Sequence, residues 1–449
     1  MPASDERRDK HDLFGKHRKR VAGTRAVGFC SAILSLPRSV MKTPERDRLP
    51  PAFRRIGWSN LLAQLSEQIA LAAAPLAAVI LLAAGPAETG WLQTAQTLPF
   101  LLLSIPAGLI ADRASRRKLM VASEALRALS LALTVLLLGF GQMNLSLLAL
   151  LGCVGAIGTV CYSVAAPALI PTLVPRTRLA DANRWLELAR SAAYAGGPAL
   201  GGALVGWTGA PVAYVLSTVL SIWAVLLLAG LPKEELAART GRKLLHDLKD
   251  GAAFVIRHDL LRPILLTAVF FNIGWFCIQA IYVAYAVQIL GLTAFEVGVT
   301  LGIYGAGMIA GAGIAPALAR RVSFGTMIVL GPFGGFCAAL LMLGTVWFPS
   351  PILAGFSYFL FGAGPILWTI TTTTLRQAIT PNAMLGRVSA LVMTATFGAR
   401  PVGAAAGAFI AAHAGAAACL GAAAIGFLVQ LLVILLSRVP RLRALPDMA

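Results

Sequence analysis

Glu67 and Arg400 are the two residues whose chemistry fits least with their surroundings. Both sit deep inside long apolar runs, where an ionisable side chain is costly and points to function. Glu67 comes twelve residues after Arg55, about 18 Å along a helix at 1.5 Å per residue and so near the middle of a bilayer. Asn60, Gln64, Glu67 and Gln68 fall on roughly one helical face, which is expected to look into a central cavity. Burial favours the protonated carboxyl, the property a proton carrier needs; the other use of such a residue is a helix–helix hydrogen bond that fixes packing. Arg400 comes thirteen residues after Arg387, about 20 Å by the same rise. A guanidinium does not deprotonate in practice. Arg400 therefore serves as counter-ion to Glu67, as a ligand for an anionic substrate, or as half of a structural pair. Glu124 and Arg127 are spaced i, i+3 and lie nearer one membrane face. They pair with each other or with the charged cluster around Asp112, in a structural or gating role. Asn272, Gln279, Tyr282, Trp368 and Thr371, in later apolar runs, are expected to line the cavity.

The elements that position these residues are membrane spans. Of 449 residues, 58% are hydrophobic and 13% charged, about half the charged share of a soluble domain. The net charge of +19 would suggest nucleic acid in a soluble chain. Here the basic residues lie between apolar runs, where anionic lipid explains them, so no nucleic-acid partner is expected. The six cysteines form no CxxC pair and the five histidines no HExxH spacing. No metal or cofactor is called for.

Apolar runs recur at 57–84, 91–111, 118–140, 145–168, 186–207, 211–231, 262–289, 295–318, 324–347, 351–375, 386–411 and 415–437. The expected fold is an all-α membrane protein with twelve transmembrane helices in two six-helix repeats. Loops after the even-numbered runs carry Arg and Lys, whereas loops after the odd-numbered ones carry none. The positive-inside rule then puts both termini in the cytoplasm. The expected divisions are a disordered basic tail over 1–50, a first bundle over 51–231, a cytoplasmic linker over 232–261, a second bundle over 262–437 and a short tail over 438–449. Met41 is a plausible alternative start. Within the linker, Leu244, Leu245, Leu248, Ala252, Val255 and Ile256 recur near helical spacing opposite a charged face. That pattern predicts an amphipathic helix on the inner membrane surface. At a constant offset of 206 residues, Leu169, Pro175, Leu179, Gly197 and Gly201 fall on Leu375, Pro381, Leu385, Gly403 and Gly407. A repeat of this kind implies a transporter whose site lies between the halves.

Two motifs add mechanism. "GLIADRASRRK" joins the second and third runs. Its basic residues suffice as a topology signal, but they leave Gly108 and Asp112 unexplained. Gly108, Asp112, Arg113, Arg116 and Arg117 match the loop signature of the major facilitator superfamily, which this stretch resembles. Ser115 stands where the family usually has Gly, and a left-handed turn there would be costlier. The resemblance implies a cytoplasmic gate, with Asp112 pairing across to the other half. Glu124 and Arg127 are grouped with that gate. The second-half counterpart "GIAPALARR" has Ala317 where the Asp would fall. In the fifth run, "GGPALGG" places Gly197, Pro198, Gly201 and Gly202. Gly at i and i+4 lets a neighbouring helix approach closely, and Pro198 invites a bend. These residues match the core that marks antiporters in the superfamily.

With "LIPTLVPRTRLADANRW", "LLHDLKDGAAFVIRHDLLRP" and "ARPVGAAAGA", the chain from Arg54 onward resembles the enterobactin-exporter and macrolide-efflux branch. The branch implies proton-coupled efflux of a drug or siderophore-like compound; a monomer in the bacterial inner membrane is expected. An importer on the same fold is the alternative. A lipid scramblase or membrane-embedded enzyme is a distant one, since no His or Asp cluster lies at one membrane face.

Overall fold

The computed structural model describes residues 50–175, 178–232 and 244–445. The expected N-terminal tail up to 49, most of the linker loop and the last four residues lie outside the described residues. So do the side chains of Asp112, Arg113, Leu244, Leu245 and Leu248.

The first six helices are α1 (Pro51–Leu82), α2 (Pro86–Arg113), α3 (Arg116–Gly139), α4 (Leu145–Leu173), α5 (Leu179–Thr208) and α6 (Ala210–Ala229). A shorter α7 (Leu244–Arg257) precedes α8 (Leu261–Gln288), α9 (Ala294–Ala319), α10 (Phe324–Gly344), α11 (Pro351–Ile379) and α12 (Asn382–Leu435). Polar residues start many of them. Ser115, Asn144, Thr293, Ser323 and Ser350 each accept a hydrogen bond from a backbone N–H in the first turn of the following helix, satisfying donors that the helix leaves open. Thr293 and Glu296 form a reciprocal capping box.

Ser115 corrects one expectation. Its φ is −61° and its hydroxyl accepts from the Lys118 N–H at 3.4 Å. The chain needs no left-handed turn at this position, so serine is used as a cap. A left-handed residue is required elsewhere. Gly209, at φ 91°, turns α5 directly into α6, and Gly415, at φ 82°, breaks α12 into two helical parts. No side chain fits comfortably in that region.

Among the described residues, nine helices are long and apolar enough to cross a membrane. That is fewer than the apolar runs of the sequence. The α12 helix holds two runs in one continuous assignment across Gly415. The α2 and α5 helices, at 28 and 30 residues, have the length. Exposed Leu102, Leu226 and Ile352 cover outward faces, as suits helices whose solvent is lipid.

Helices α1 to α6 pack largely among themselves, with α1 against α5 and α6, α2 against α4, and α3 against α4 and α6. In the later set α8 packs on the first part of α12, α9 on α11, and α10 on α11 and α12. Glycines permit the closest approaches. A Cβ at Gly197 would meet Gln68 Cβ at 2.4 Å, and one at Gly403 would meet the Ile273 carbonyl oxygen at 2.3 Å. The same holds one turn on, for Gly201 against α1 and Gly407 against α8.

The two sets meet through α2 with α12 and α5 with α9. Gln288 Nε2 donates to the Ala84 carbonyl at 3.1 Å, Trp207 stacks on Phe295 with centroids 5.8 Å apart, and Gly202 faces Gly298. Gly90 lies against Ala408, and Phe100 meets Phe397 edge-on at 5.5 Å. These contacts run from the end holding the α1–α2, α5–α6 and α8–α9 turns to the helix middles.

The linker helix α7 packs on α12 and α8. Asp250 pairs with Arg387 at 2.7 Å, and Val255 is buried against Leu261 and Val388. Its apolar face is therefore turned at least partly to protein. His258, just beyond it, accepts through Nδ1 from the Leu260 and Leu261 N–H groups at 3.1 and 3.4 Å.

Candidate functional site

A cavity of about 360 Å³ lies within the helices and takes wall residues from both sets. Glu67 and Gln68 come from α1, Gln93, Gln96 and Phe100 from α2, and Arg127 from α3. Asn272, Trp275 and Gln279 come from α8, Tyr304 from α9, and Arg400 from α12. Pro198, on the glycine-rich stretch of α5, is also on the wall, with Tyr194 one turn before it.

Arg127 organises the α1/α3 side. Its Nη2 lies 2.6 Å from Glu124 Oε1 and donates to the Ala63 carbonyl at 2.8 Å, while Nη1 lies 3.6 Å from Glu67 Oε2. Glu124 is 1% exposed and also accepts from the Ser221 hydroxyl at 2.6 Å. The Glu67 side chain is 20% exposed. Two carboxylates thus share one guanidinium: Glu124 holds it closely in the dry interior, and Glu67 holds it loosely at the cavity edge.

This placement corrects the grouping of Arg127 and Glu124 with the gate. Arg127 is eleven residues into α3 from Arg116, about 16 Å from the helix start, which is deep enough to reach Glu67. The residues of the gate loop do other things. Arg117 donates to the carbonyls of Leu228 and Ala229, tying the start of α3 to the end of α6. Arg55 donates to the next carbonyl, that of Gly230. Gly108 is half-buried near the end of α2. The side chains of Asp112 and Arg113, on which a gate would turn, lie outside the described residues.

Arg400 sits on the second set. Its guanidinium carbon is 4.2 Å from the Phe397 ring centroid, 5.2 Å from that of Phe100 and 5.4 Å from that of Phe276. Such stacking suits a planar cation. Among the described residues no carboxylate lies within ion-pair distance of it, and its Nε has no hydrogen-bond partner. The Glu67 counter-ion at contact distance is Arg127, not Arg400.

The remaining expected wall residues divide. Asn272 and Gln279 line the cavity. The Asn272 amide donates to the Ala268 carbonyl, and Gln279 accepts from the Tyr358 hydroxyl at 2.7 Å. Tyr282, Trp368 and Thr371 are not on the wall. Tyr282 is 1% exposed and donates to Thr300 at 2.6 Å. Trp368 packs beside Gly331, and the Thr371 hydroxyl turns back to the Leu367 carbonyl. Asn60 and Gln64 are half-buried on α1 outside the lining. In "GGPALGG", Gly197 and Gly201 close on α1 and Gly202 on α9, so this stretch of α5 packs on both sets.

Sequence reasoning missed the cavity-lining face of α2, formed by the polar Gln93, Gln96 and Thr97 with Phe100. Its i, i+3, i+4, i+7 spacing is readable in the sequence. Trp275, Tyr194 and Tyr304 carried no such signal.

The profile of the transmembrane secretion effector family matches residues 49–448. The chain belongs to that family, within the major facilitator superfamily of membrane transporters. The transporter is 27% identical to YfiS, an MFS-type transporter of Bacillus subtilis, over 79% of its own length and 85% of that protein's. It is 21% identical to macrolide efflux protein A of Enterococcus faecalis, over 68% and 95% of the two chains. A bacterial homologue of the iron transporter ferroportin, in its inward-facing state, superposes with a TM-score of 0.69 at 16% identity over 86% and 98% of the chains. The outward-facing state of such a homologue gives 0.58 over the same shares. Fold and family are those of small-molecule membrane transporters, not of enzymes.

Proposed function

We propose that this transporter exports a small amphipathic compound in exchange for protons, by alternating access between two six-helix repeats. The observation that carries the reading is the sharing of Arg127. Glu124 is committed to Arg127 and Ser221, whereas Glu67 is held at 3.6 Å and reaches the cavity. Glu67 is therefore the carboxylate that can gain and lose a proton without dismantling a tight contact. Its protonation releases part of the hold on Arg127 and biases one conformation.

The two-repeat architecture is supported by matched packing. Gly197 and Gly201 close on α1 as Gly403 and Gly407 close on α8, and α2 meets α12 as α9 meets α5. Counting α2, α5 and both parts of α12 gives twelve spans, in bundles 51–231 and 262–437 joined by the linker 232–261. The basic loops put both termini in the cytoplasm of a bacterium, with the protein in its inner membrane. Among the described residues, the contacts between repeats then gather at the outer end, as in an inward-facing state. The loop from Gly108 to Lys118 becomes the cytoplasmic gate, with Asp112 its latch. The antiporter-type residues Gly197, Pro198, Gly201 and Gly202, and the likeness to a protein named for macrolide efflux, favour export.

The test has two parts. Accumulation of a chemically diverse compound panel in cells with and without the transporter identifies a substrate. Proteoliposomes with an imposed pH gradient then compare wild type with Glu67→Gln. Proton-driven transport is expected to vanish in the variant while its amount and melting temperature are kept. Full proton-driven transport by Glu67→Gln refutes the assignment, and uptake in the opposite direction refutes export.

A further inference from the structure

We infer that the cavity is built for a dipolar substrate, an aromatic amphiphile carrying both an acidic and a basic group. Three residues that line the cavity each carry a buried polar atom without a partner. Arg400 Nε and Arg127 Nε are donors without a partner, and Gln96 Oε1 is an acceptor without a partner on a residue only 6% exposed. A buried polar atom left unpaired is costly and calls for an explanation. Here donors and an acceptor alike belong to residues that line one cavity.

The charges agree with the orphans. Arg400 is held by aromatic faces and not by a carboxylate, so its positive charge is open to an anionic group on the ligand. Glu67 has only the long contact to Arg127, so its carboxylate can accept a ligand ammonium. Between them the wall is aromatic. Trp275 and Tyr304 stack with centroids 5.1 Å apart, and Phe276 stands beside Arg400. A volume of about 360 Å³ is at the lower end of sites for drug-sized molecules.

Exchange chemistry selects the dipolar ligand over a simple anion, and in this the inference rests on the proton-exchange reading above. A group that is only anionic would add negative charge beside Glu67 and favour its protonated form. Substrate and proton would then bind together, as in symport. An ammonium at Glu67 competes with the proton directly, so binding from the cytoplasm expels a proton and exchange follows. The acid on Arg400 holds the other end and fixes orientation.

The test uses three probes on one scaffold: an aryl-piperazine carboxylic acid, its methyl ester and its N-acetyl derivative. They present a zwitterion, a cation and an anion of similar shape. Binding to the purified full-length protein is followed by tryptophan fluorescence, and proton movement by a pH indicator in weak buffer. The zwitterion is expected to bind about tenfold or more tightly than either singly charged probe and to release protons. Arg400→Gln should lower its affinity to that of the ester, and Arg400→Lys should restore part of the loss. Equal binding of the zwitterion to wild type and Arg400→Gln, with both proteins folded, overturns the inference. An N-acetyl probe that binds as tightly as the zwitterion and draws protons in overturns it too. Proton-driven transport by Glu67→Gln is a separate result: it removes the exchange reading and leaves the measured dependence on Arg400 in place.

Discussion

Replacing Gly298 with Ala should drive the transporter out of the conformation in which α5 and α9 touch. An added Cβ at Gly298 would lie 2.7 Å from Gly202 Cα and 2.7 Å from the Pro198 carbonyl oxygen, 0.7 Å inside the 3.4 Å at which ordinary contact begins. Both obstacles are backbone atoms and cannot rotate away. Overpacking of this kind costs about 1–3 kcal/mol. The cost is confined to the state with the two helices in contact, so the population should move by a factor of about 5 to 150. The gain in helix propensity from Gly to Ala is about 1 kcal/mol and cancels, because α9 is helical in both states. Gly313→Ala carries the same gain on the same helix with nothing within 4 Å of the added methyl, so it is the control. The assay is the rate of oxidative cross-linking between Trp207→Cys and Phe295→Cys, whose native rings stack at 5.8 Å across the two sets. Gly298→Ala should slow that rate several-fold and Gly313→Ala should not. An unchanged rate in a stably folded Gly298→Ala protein would refute the argument, as would an equal slowing by Gly313→Ala.

Two further outcomes concern stability. Arg127→Met strands Glu124, 1% exposed, with only the Ser221 hydroxyl. Breaking a buried pair in this way costs about 3–5 kcal/mol, so melting of the detergent-purified protein should fall steeply and recover in large part when Glu124→Gln is added. A melting temperature unaltered by Arg127→Met would show that the pair contributes nothing. His258 titrates below its ordinary 6.5, because burial outweighs the attraction of Asp259. A lowered folded value means that its contribution is present above 6.5 and is lost as pH falls through the lowered value. Thermal scans from about pH 7.5 to 5.5 should show a loss in wild type that is smaller in His258→Gln.

Much of the helical plan was legible because it depends on local properties. The apolar run 145–168 became α4, and 324–347 became α10, each within a few residues of its expected start. The break between the last two runs was expected near 415, and Gly415 makes it. Side-chain destinations were less legible. Tyr282 and Gln279 are three residues apart on α8, yet Gln279 reaches the cavity and Tyr282 is buried against α9. Which face of a helix meets the cavity depends on neighbours that are distant in sequence. Ser115 shows the converse: its departure from the expected glycine looked costly in sequence and is harmless at φ −61°.

The sequence by itself determined that the chain is a bundle of membrane-length helices with Arg and Lys gathered in every second loop, and that Glu67 and Arg400 stand deep within it. Span length, charge placement and the cost of an ion in hydrocarbon suffice for that, since each is read along one segment. Only the tertiary structure decided the partners. It took Arg127 from the gate to the cavity, gave Glu124 the short contact and left Glu67 the long one. It also surrounded Arg400 with aromatic rings contributed by α2, α8 and α12. Those choices are set by how helices rotate and pack against one another, so no single segment encodes them.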